Sequence, residues 1–434
     1  MDLENLLSKY KYAELRTETV DESVVQIKDE EVRHSAGQSR GISVRVLEEG
    51  SWGFASGTES EAEKLLERAH RLAKLAKGRI APKEPPAEKV RVDEHTVLAD
   101  PEEKIKALLE ASGEMKESGI CSRTISCTDV SVKKEFFNTY GSRIVQDTGY
   151  TYLSCSAIAR SGENIQRGSE RAWSRSGFSR IDVHSVAKEA RAKALRLLTA
   201  GAPPKGRFTV VLDPEMSGVF SHEAVGHACE GDSVVERESI LADKVGQKIG
   251  SELVTIIDDP SARDFGHYAY DDEGVRGTPS MLVEKGVLKG FLNSAETAAG
   301  LAADLNGHAR AQDYSSIPIV RMSNTYFQRG SASVEEVFGV ESGVYLKGMK
   351  GGSVDIFSGG FMFKAEEAYE ISKGEKGRLM RDVTITGNIL QTLLDVECVG
   401  SDFGTSPGIC GKFSQEVPVS DGGPHIRIKN VAIG

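Results

Sequence analysis

The sequence predicts an α+β protein of two domains: an N-terminal antiparallel sheet with helices, and a C-terminal strongly curved sheet or open β-barrel that carries one important helix. The chain has 434 residues, more than one ordinary core accommodates. Hydrophobic periods of two and of about 3.6 residues alternate in the first half, whereas the second half is mostly short strands and glycine turns. The stretch 200–206 holds two glycines and two prolines, which predicts domains at 1–205 and 206–434.

The first half is expected to begin with strands and continue with two capped helices. Strands are predicted at 12–18, 24–28 and 42–47. Thr58 and Glu61 have the spacing of a capping box, and the apolar period that follows predicts a helix as far as Gly78. The proline-containing stretch 79–97 is interpreted as a linker or an edge segment. Asp100 and Pro101 are typical of the start of a second helix.

From residue 121 to residue 171 the period is two, which predicts antiparallel strands at 124–134, 142–147 and 150–160. Turns are expected at 138–141 and at 147–149, where glycine and asparagine or aspartate occur. A helix rich in Ala, Leu, Lys and Arg should follow, capped by Asp182, and pack on this sheet.

The second half is expected to open with a strand at 208–212 and a helix that starts at Asp213-Pro214. A hairpin is predicted across 284–286, a short helix is capped by Ser294, and another short helix is expected at 334–338. The rest should be short strands joined by glycine turns.

Composition narrows the class of protein. The net charge is −11, from 54 basic and 65 acidic residues, so a nucleic acid is not an expected partner. No apolar run is long enough to span a bilayer, so no membrane partner is expected. The acidic start lacks the features of a signal peptide, and the six cysteines include no Cys-x-x-Cys pair. Reduced thiols in the cytoplasm are therefore predicted.

The stretch 221–232 carries the strongest chemical signal. His222 and His227 are two imidazoles that could hold zinc, and Glu223 is a carboxylate that could take a proton from water. Their i, i+5 spacing differs from the i, i+4 spacing of common zinc proteases and puts the side chains about 140° apart on an α-helix. A π-bulge would bring them together, with Gly226 as the place where distortion costs least. The alternative is an amphipathic helix with two solvated or core histidines.

A catalytic zinc usually has three protein ligands, so one more is needed. Sequence spacing leaves eight candidates open: Glu230, Asp232, Cys229, His267, His308, Cys398, Cys410 and His425. Cys410 has the most suggestive setting, because glycines flank it and Lys412 would favour its thiolate. Its alternative interpretation is a small buried residue in a tight turn.

Taken together, these motifs resemble the TldD/PmbA family of metallopeptidases, and the catalytic TldD side in particular. The similarity covers the second half well and the first half mainly in its order of elements. Four stretches carry it, with weaker support from 359–361 and 367–369: 222–227 with 230–232; 271–274 with 277–279; 321–325; and 408–412 with Gln415 and 417–419.

The resemblance implies that His222, His227 and Cys410 bind zinc and that Glu223 is the general base. It also implies hydrolysis of short or unfolded peptides inside an enclosed dimer, expected with a TldE/PmbA-type subunit, although a homodimer is possible. Ser414 stands where the family usually has glycine, and a few extra residues lie between 258 and 270. The alternative is a non-catalytic peptide-binding or scaffold subunit of such a complex.

Overall fold

The computed structural model describes residues 3–76, 78 and 81–434. Its first half consists of seven strands and four α-helices: α1 (Leu3–Leu7), β1 (Tyr12–Lys28), β2 (Glu31–Glu48), β3 (Ser51–Gly57), α2 (Ala62–Leu75), β4 (Lys89–Glu94), α3 (Pro101–Glu114), β5 (Ile120–Asn138), β6 (Arg143–Ser161), β7 (Asn164–Ser174) and α4 (Val183–Leu197).

These seven strands form one sheet in the order β3-β2-β1-β5-β6-β4, with β7 also paired to β6. All the pairs are antiparallel except β4 with β6. Helices α2 and α4 contact the sheet closely, and α3 packs on β1 and on α4. The predicted N-terminal sheet with helices is confirmed, and β4 lies at its edge within the proline-containing segment.

The predicted helix starts are also present. The side chain of Asp100 accepts hydrogen bonds from the first turn of α3, and that of Asp182 accepts one from the first turn of α4. Glu61 accepts a hydrogen bond from the backbone N–H of Thr58 at 3.1 Å, as a capping box requires. These caps were predictable because each depends on neighbours within three residues.

The turn predicted at 147–149 is wrong, because β6 continues through it. Gly149 pairs with Ser131 of β5 within an unbroken antiparallel register. A Cβ atom on Gly149 would lie 2.5 Å from the carbonyl oxygen of Val130. The glycine therefore permits a close approach of neighbouring strands and does not mark a turn.

The second half begins with β8 and the helix that carries the histidine motif. Its elements are β8 (Gly206–Leu212), α5 (Pro214–Phe220), α6 (Gly231–Val235), β9 (Ile256–Asp258), β10 (Ser280–Glu284), β11 (Val287–Leu288), α7 (Ala295–Gly300), β12 (Ala309–Arg310), β13 (Ile319–Val320), β14 (Asn324–Phe327), α8 (Val334–Phe338), β15 (Ser342–Asp355), β16 (Gly360–Ser372), β17 (Glu375–Met380), β18 (Thr384–Asn388), α9 (Ile389–Leu394), β19 (Val396–Val399), β20 (Gly404–Lys412), β21 (Gln415–Gly423) and β22 (Ile426–Ile433).

The strongly curved sheet of the second half closes on itself. Strands β15, β8, β22, β18 and β16 pair in that order, and β16 pairs back with β15. The resulting five-stranded barrel is more closed than the open barrel that the sequence suggests. A second sheet has the order β11-β10-β9-β14-β21-β20. Helix α5 contacts β15 of the barrel and β21 of this sheet, so the histidine motif lies between two β layers.

We propose that the domain boundary lies at 205/206, as the composition suggests. Two apolar clusters contain residues of the first half alone, and two others contain residues of the second half alone. A small fifth cluster joins the halves through Phe136, Ile144 and Tyr270. Within the described residues, no helix is long and apolar enough to cross a membrane.

Candidate metal centre

The histidine motif follows directly from the end of α5. Asp213 caps the helix by accepting a hydrogen bond from the N–H of Met216 at 2.8 Å. The helix continues as a π-helix over Ser221–Gly226, and the N–H of His227 bonds to the carbonyl of His222, five residues earlier. The extra residue in this turn brings the two imidazole centroids to 5.0 Å. The predicted π-bulge is confirmed.

Gly226 has a different role from the predicted one. Its φ of −55° and ψ of −59° are ordinary helical values that any residue adopts. A Cβ atom there would lie only 2.0 Å from Sδ of Met322. The glycine therefore leaves room for the buried side chain of Met322, and the backbone distortion does not depend on it.

Cys410 joins the two histidines from the β20–β21 hairpin. Its Sγ lies 3.6 Å from Nε2 of His227, and the ligand atoms of His222, His227 and Cys410 lie within 4.8 Å of one another. The pairing of β20 with β21 places Cys410 and Asp421 on the same face of the hairpin, four residues apart in the register. Among the described residues, this is the group of His, Cys and acidic side chains that could hold a metal.

A carboxylate lies behind each imidazole. Nδ1 of His222 is 2.7 Å from Oδ1 of Asp421, and Nδ1 of His227 is 2.9 Å from Oε2 of Glu230. Each contact leaves Nε2 as the nitrogen available to a metal, and fixes the orientation of the ring. Neither carboxylate was assigned this role from the sequence, because only the folded structure brings Asp421 to His222.

The electrostatics of the cluster favour a thiolate. Burial alone would raise the pKa of Cys410, but the adjacent His222 and His227 lower it to about 5. Burial opposes charge on His227 as well, yet Glu230 and Cys410 raise its pKa to about 10. The pKa of His222 is also raised, since Asp421 and Cys410 outweigh its burial. Two imidazole nitrogens and a thiolate sulfur are a donor set that suits a borderline-soft transition metal.

Lys412 does not stabilise the thiolate directly, contrary to the sequence-based expectation. Its Nζ lies 2.7 Å from Asp232 and 3.2 Å from Glu230, and it donates to the carbonyl of Val320 at 3.0 Å. The imidazoles are the groups that lower the pKa of the thiol. Lys412 therefore acts on the cluster through Glu230, which contacts His227.

Arg321 bonds to the backbone of both strands of the β20–β21 hairpin. This fully buried side chain donates from Nη1 to the carbonyl of Gln415 at 3.1 Å and from Nη2 to the carbonyl of Cys410. Both acceptors are backbone groups on either side of the β20–β21 turn. Arg321 was part of a recognised motif, but its contact could not be deduced from sequence spacing.

Glu223 lies at the open side of the cluster. Its side chain is 30% exposed, and Oε2 lies 4.0 Å from Nε2 of His227. It is therefore next to the ligand atoms while keeping access to solvent, which is the placement that a proton acceptor for water needs.

Three of the other candidate ligands lie outside the group of His222, His227 and Cys410. Cys229 is fully buried in the apolar core, where burial raises its pKa. His267 bonds to the carbonyl of Pro260 and to Glu94, and His308 lies 3.1 Å from Ser280.

His425 lies 2.7 Å from Asp402 and packs beside Phe338, in the region of the partly buried Cys398. Asp232 pairs with Lys412. The structure thus brings Cys410 to the histidines and leaves the other candidates outside the ligand group, with Glu230 in contact with His227.

The acidic stretch 271–273 has a structural role. Asp271 accepts three backbone N–H bonds, at 2.8–3.0 Å. Asp272 lies 2.9 Å from both Arg16 and Lys134, and Glu273 lies 2.8 Å from Arg45. These three cations belong to the N-terminal sheet, so the motif joins the two halves of the molecule.

Comparison with known proteins covers almost the whole chain. Family models of the PmbA/TldA metallopeptidase match as domain 1 at residues 13–76, the central domain at 95–198 and the C-terminal domain at 205–434. The fold is similar to the crystal structure of TldE from Thermococcus kodakarensis, with a TM-score of 0.81 at 20% identity, covering 100% of this chain and 99% of that one.

Relatives with higher identity have names that state an activity. A metalloprotease of Methanothermobacter thermautotrophicus is 40% identical, over 100% of this chain and 97% of the relative. A zinc metalloprotease TldD homolog of Saccharolobus solfataricus is 32% identical, over 98% and 96%. Family models and full-length relatives agree with the His-His-Cys group in the structure. The chain belongs to the PmbA/TldD metallopeptidase family and is a metalloprotease.

Proposed function

We propose that this chain is a zinc-dependent peptidase that hydrolyses short or unfolded peptides inside an enclosed dimer. The observation that carries the proposal is the convergence of His222, His227 and Cys410 within 4.8 Å, with Glu223 beside them. Two imidazoles and a thiolate suit zinc, and three protein ligands leave a fourth position open, as catalytic zinc sites do. A relative at 32% identity is named a zinc metalloprotease.

The residues of the cluster have three separate roles: metal binding, proton transfer and orientation of the imidazoles. His222, His227 and Cys410 would hold the metal, which when bound lowers the pKa of water and polarises a carbonyl group. Glu223 takes the proton of the attacking water and delivers it to the leaving amine, which requires the partial exposure it has. Asp421 and Glu230 keep the two imidazoles in the orientation that leaves Nε2 free.

The substrate is expected to bind as an added strand. Within the part of the chain that is described, β20 pairs only with β21 and forms the end of its sheet. Its outer edge can therefore bond to the backbone of an extended peptide, close to Cys410. Backbone recognition favours flexible peptides and gives weak side-chain selectivity, since folded proteins have few extended segments to offer.

The partner we propose is a TldE/PmbA-type subunit, and the alternative is a second copy of this chain. The support is the shared fold with TldE and membership of the family. The six free cysteines are consistent with a reducing compartment, and we propose the cytoplasm. A purely scaffolding role would not require the thiolate-favouring cluster around Cys410.

The proposal is tested by Glu223→Gln, which keeps the size of the side chain and removes its basicity. We expect unchanged metal content, measured by atomic emission, and a loss of peptide hydrolysis of about 10²–10⁴-fold. Both are to be measured with the partner subunit present. A folded, metal-loaded variant that hydrolyses peptide at the wild-type rate would contradict the role of Glu223.

A further inference from the structure

A second feature of the molecule is a cavity of about 540 Å³ between the two halves. Strands β1, β5 and β6 line one side, and the stretches 265–272 and 310–313 line the other, together with part of the β20–β21 hairpin. Ile409 and Val417 belong to its wall, and these are the chain neighbour and the cross-strand partner of Cys410. The cavity therefore reaches the hairpin that supplies the sulfur ligand.

Two guanidinium groups line this cavity without a carboxylate partner. Among the described residues, no Asp or Glu oxygen lies within 4.0 Å of Arg175 or Arg310. Arg310 is 9% exposed and donates to the carbonyls of Met322 at 2.6 Å and Pro418 at 2.8 Å. Arg175 likewise donates to backbone carbonyls alone, at residues 264, 265 and 267.

The nearby carboxylates are committed to other groups. Asp272 lies 2.9 Å from Lys134, which is also 3.5 Å from Glu18. Glu94 lies 2.9 Å from His267. The remaining acidic side chains of the wall are either bonded to backbone N–H groups or exposed to solvent. The positive charge of the two arginines is thus not neutralised by the protein in their immediate surroundings.

The buried charge of Arg310 and the partly buried charge of Arg175 are costly without a counter-charge, because a charge removed from water is normally paired. Burial and, to a smaller extent, the positive charge of Arg310 lower the pKa of Arg175 to about 10, although the negative charge of Glu94 opposes this shift. The pKa of Arg310 is lowered too, by burial first and by Arg321 among its neighbours. Tyr268 lies under Arg310, with the guanidinium carbon 4.8 Å from the ring centroid, and holds the fork in place.

We propose that this cavity binds the carboxylate of a peptide, with Arg175 and Arg310 as the anion-binding groups. The inference rests on the proposed peptidase function and makes it more specific: the substrate or product carries a carboxylate that lies in the cavity beside the Cys410 hairpin. Guanidinium forks match the two oxygens of a carboxylate, and the volume is within the range of peptide-sized ligand sites. The source of the carboxylate is the C-terminus of the peptide or an acidic side chain.

Binding is tested with three pentapeptides, matched in sequence and labelled at the amino terminus with dansyl, a fluorophore without a carboxylate. One has a free C-terminal carboxylate, one is C-terminally amidated, and one is amidated but carries Glu in place of the last residue. Fluorescence anisotropy is measured on the full chain with its partner subunit, both metal-loaded and after chelation. We expect the free acid to bind about 10-fold to 100-fold more tightly than the plain amide. The third peptide identifies the source: tight binding would assign the site to an acidic side chain.

Arg175→Gln should remove the preference for the carboxylate, while Arg263→Gln, which changes a largely exposed arginine, should leave it unchanged. If Arg175→Gln does not fold, Arg175→Lys should reduce the preference several-fold because it loses the fork. Equal affinity of all three peptides for the wild-type protein would overturn the proposal, as would a preference that survives Arg175→Gln. Because anisotropy requires neither zinc nor turnover, loss of the peptidase proposal would appear separately, as absent metal or absent hydrolysis.

Discussion

Two stretches of the second half carry conspicuous polar motifs, and the structure uses them in opposite ways. In the stretch 271–273, the three carboxylates are occupied by backbone N–H groups or by arginine and lysine of the first sheet. In the metal cluster, Nδ1 of His222 and Nδ1 of His227 each contact a carboxylate, and the ligand atoms of both imidazoles and of Cys410 converge within 4.8 Å. The difference shows that a metal-binding cluster is recognised by ligand atoms that converge on one position and are not occupied by backbone groups or counter-ions.

The comparison predicts that the first stretch supports stability and the second supports metal binding. The largest effect is expected for Asp272→Asn, which breaks the buried contacts to Arg16 and Lys134. We expect a loss of about 3–5 kcal/mol in the free energy of unfolding, because the buried Arg16 is left without its carboxylate and Lys134 keeps only Glu18. Urea denaturation of the chelated protein measures this loss.

Metal content of the folded Asp272→Asn protein should equal that of the wild type. Asp304→Asn is the matched control, since the side chain of Asp304 is fully exposed. Loss of metal without loss of stability in Asp272→Asn would remove the distinction between the two stretches.

Gly226→Ala should affect both properties. The added methyl would lie 2.0 Å from Sδ of the buried Met322, so this side chain or the π-helix must shift. We expect a destabilisation of about 1–3 kcal/mol, as for other overpacked sites, together with weaker metal binding. If the clash is the cause, Gly226→Ala and Met322→Ala should be non-additive, so that the double variant loses less stability than the sum of the two single losses. A single variant that is as stable as the wild type would show that packing does not explain this glycine.

Lys412→Met tests how the residues around the metal cluster support metal binding. The substitution removes the cation that lies 3.2 Å from Glu230 and so loosens the carboxylate that orients His227. We expect metal affinity to fall about 10-fold to 100-fold, as when other groups that support a ligand are changed. Competition with a chelating dye gives the affinity, and Lys412→Arg should recover part of it. An unchanged affinity in Lys412→Met would mean that Glu230 positions His227 without help.

The sequence predicted the parts of the fold that depend on neighbouring residues. The caps at Asp100, Asp182 and Asp213 are read directly from the chain, and the i, i+5 spacing of His222 and His227 required a bulge. The sequence could not show that β6 is unbroken at Gly149. A glycine that permits close contact between strands cannot be distinguished, from the sequence alone, from a glycine that forms a turn.

Contacts between distant segments could not be predicted from the sequence either. Closure of the barrel depends on β15 pairing with β8, whose residues lie more than a hundred positions earlier. The support that Asp421 gives to His222 and the contact of Lys412 with Glu230 also join distant segments. The resemblance named Cys410 as the sulfur ligand, whereas spacing alone could not exclude Cys229.

The choice of cysteine is the central claim and has a direct test. Cobalt bound at the site should show a sulfur-to-cobalt charge-transfer absorption, because a thiolate is one of the proposed ligands. The account predicts that Cys410→Ser abolishes this absorption and weakens metal binding, while Cys229→Ser and Cys398→Ser leave the absorption intact in folded protein. An absorption that survives Cys410→Ser and disappears in Cys229→Ser would contradict the account, since the structure groups Cys410, and not Cys229, with His222 and His227.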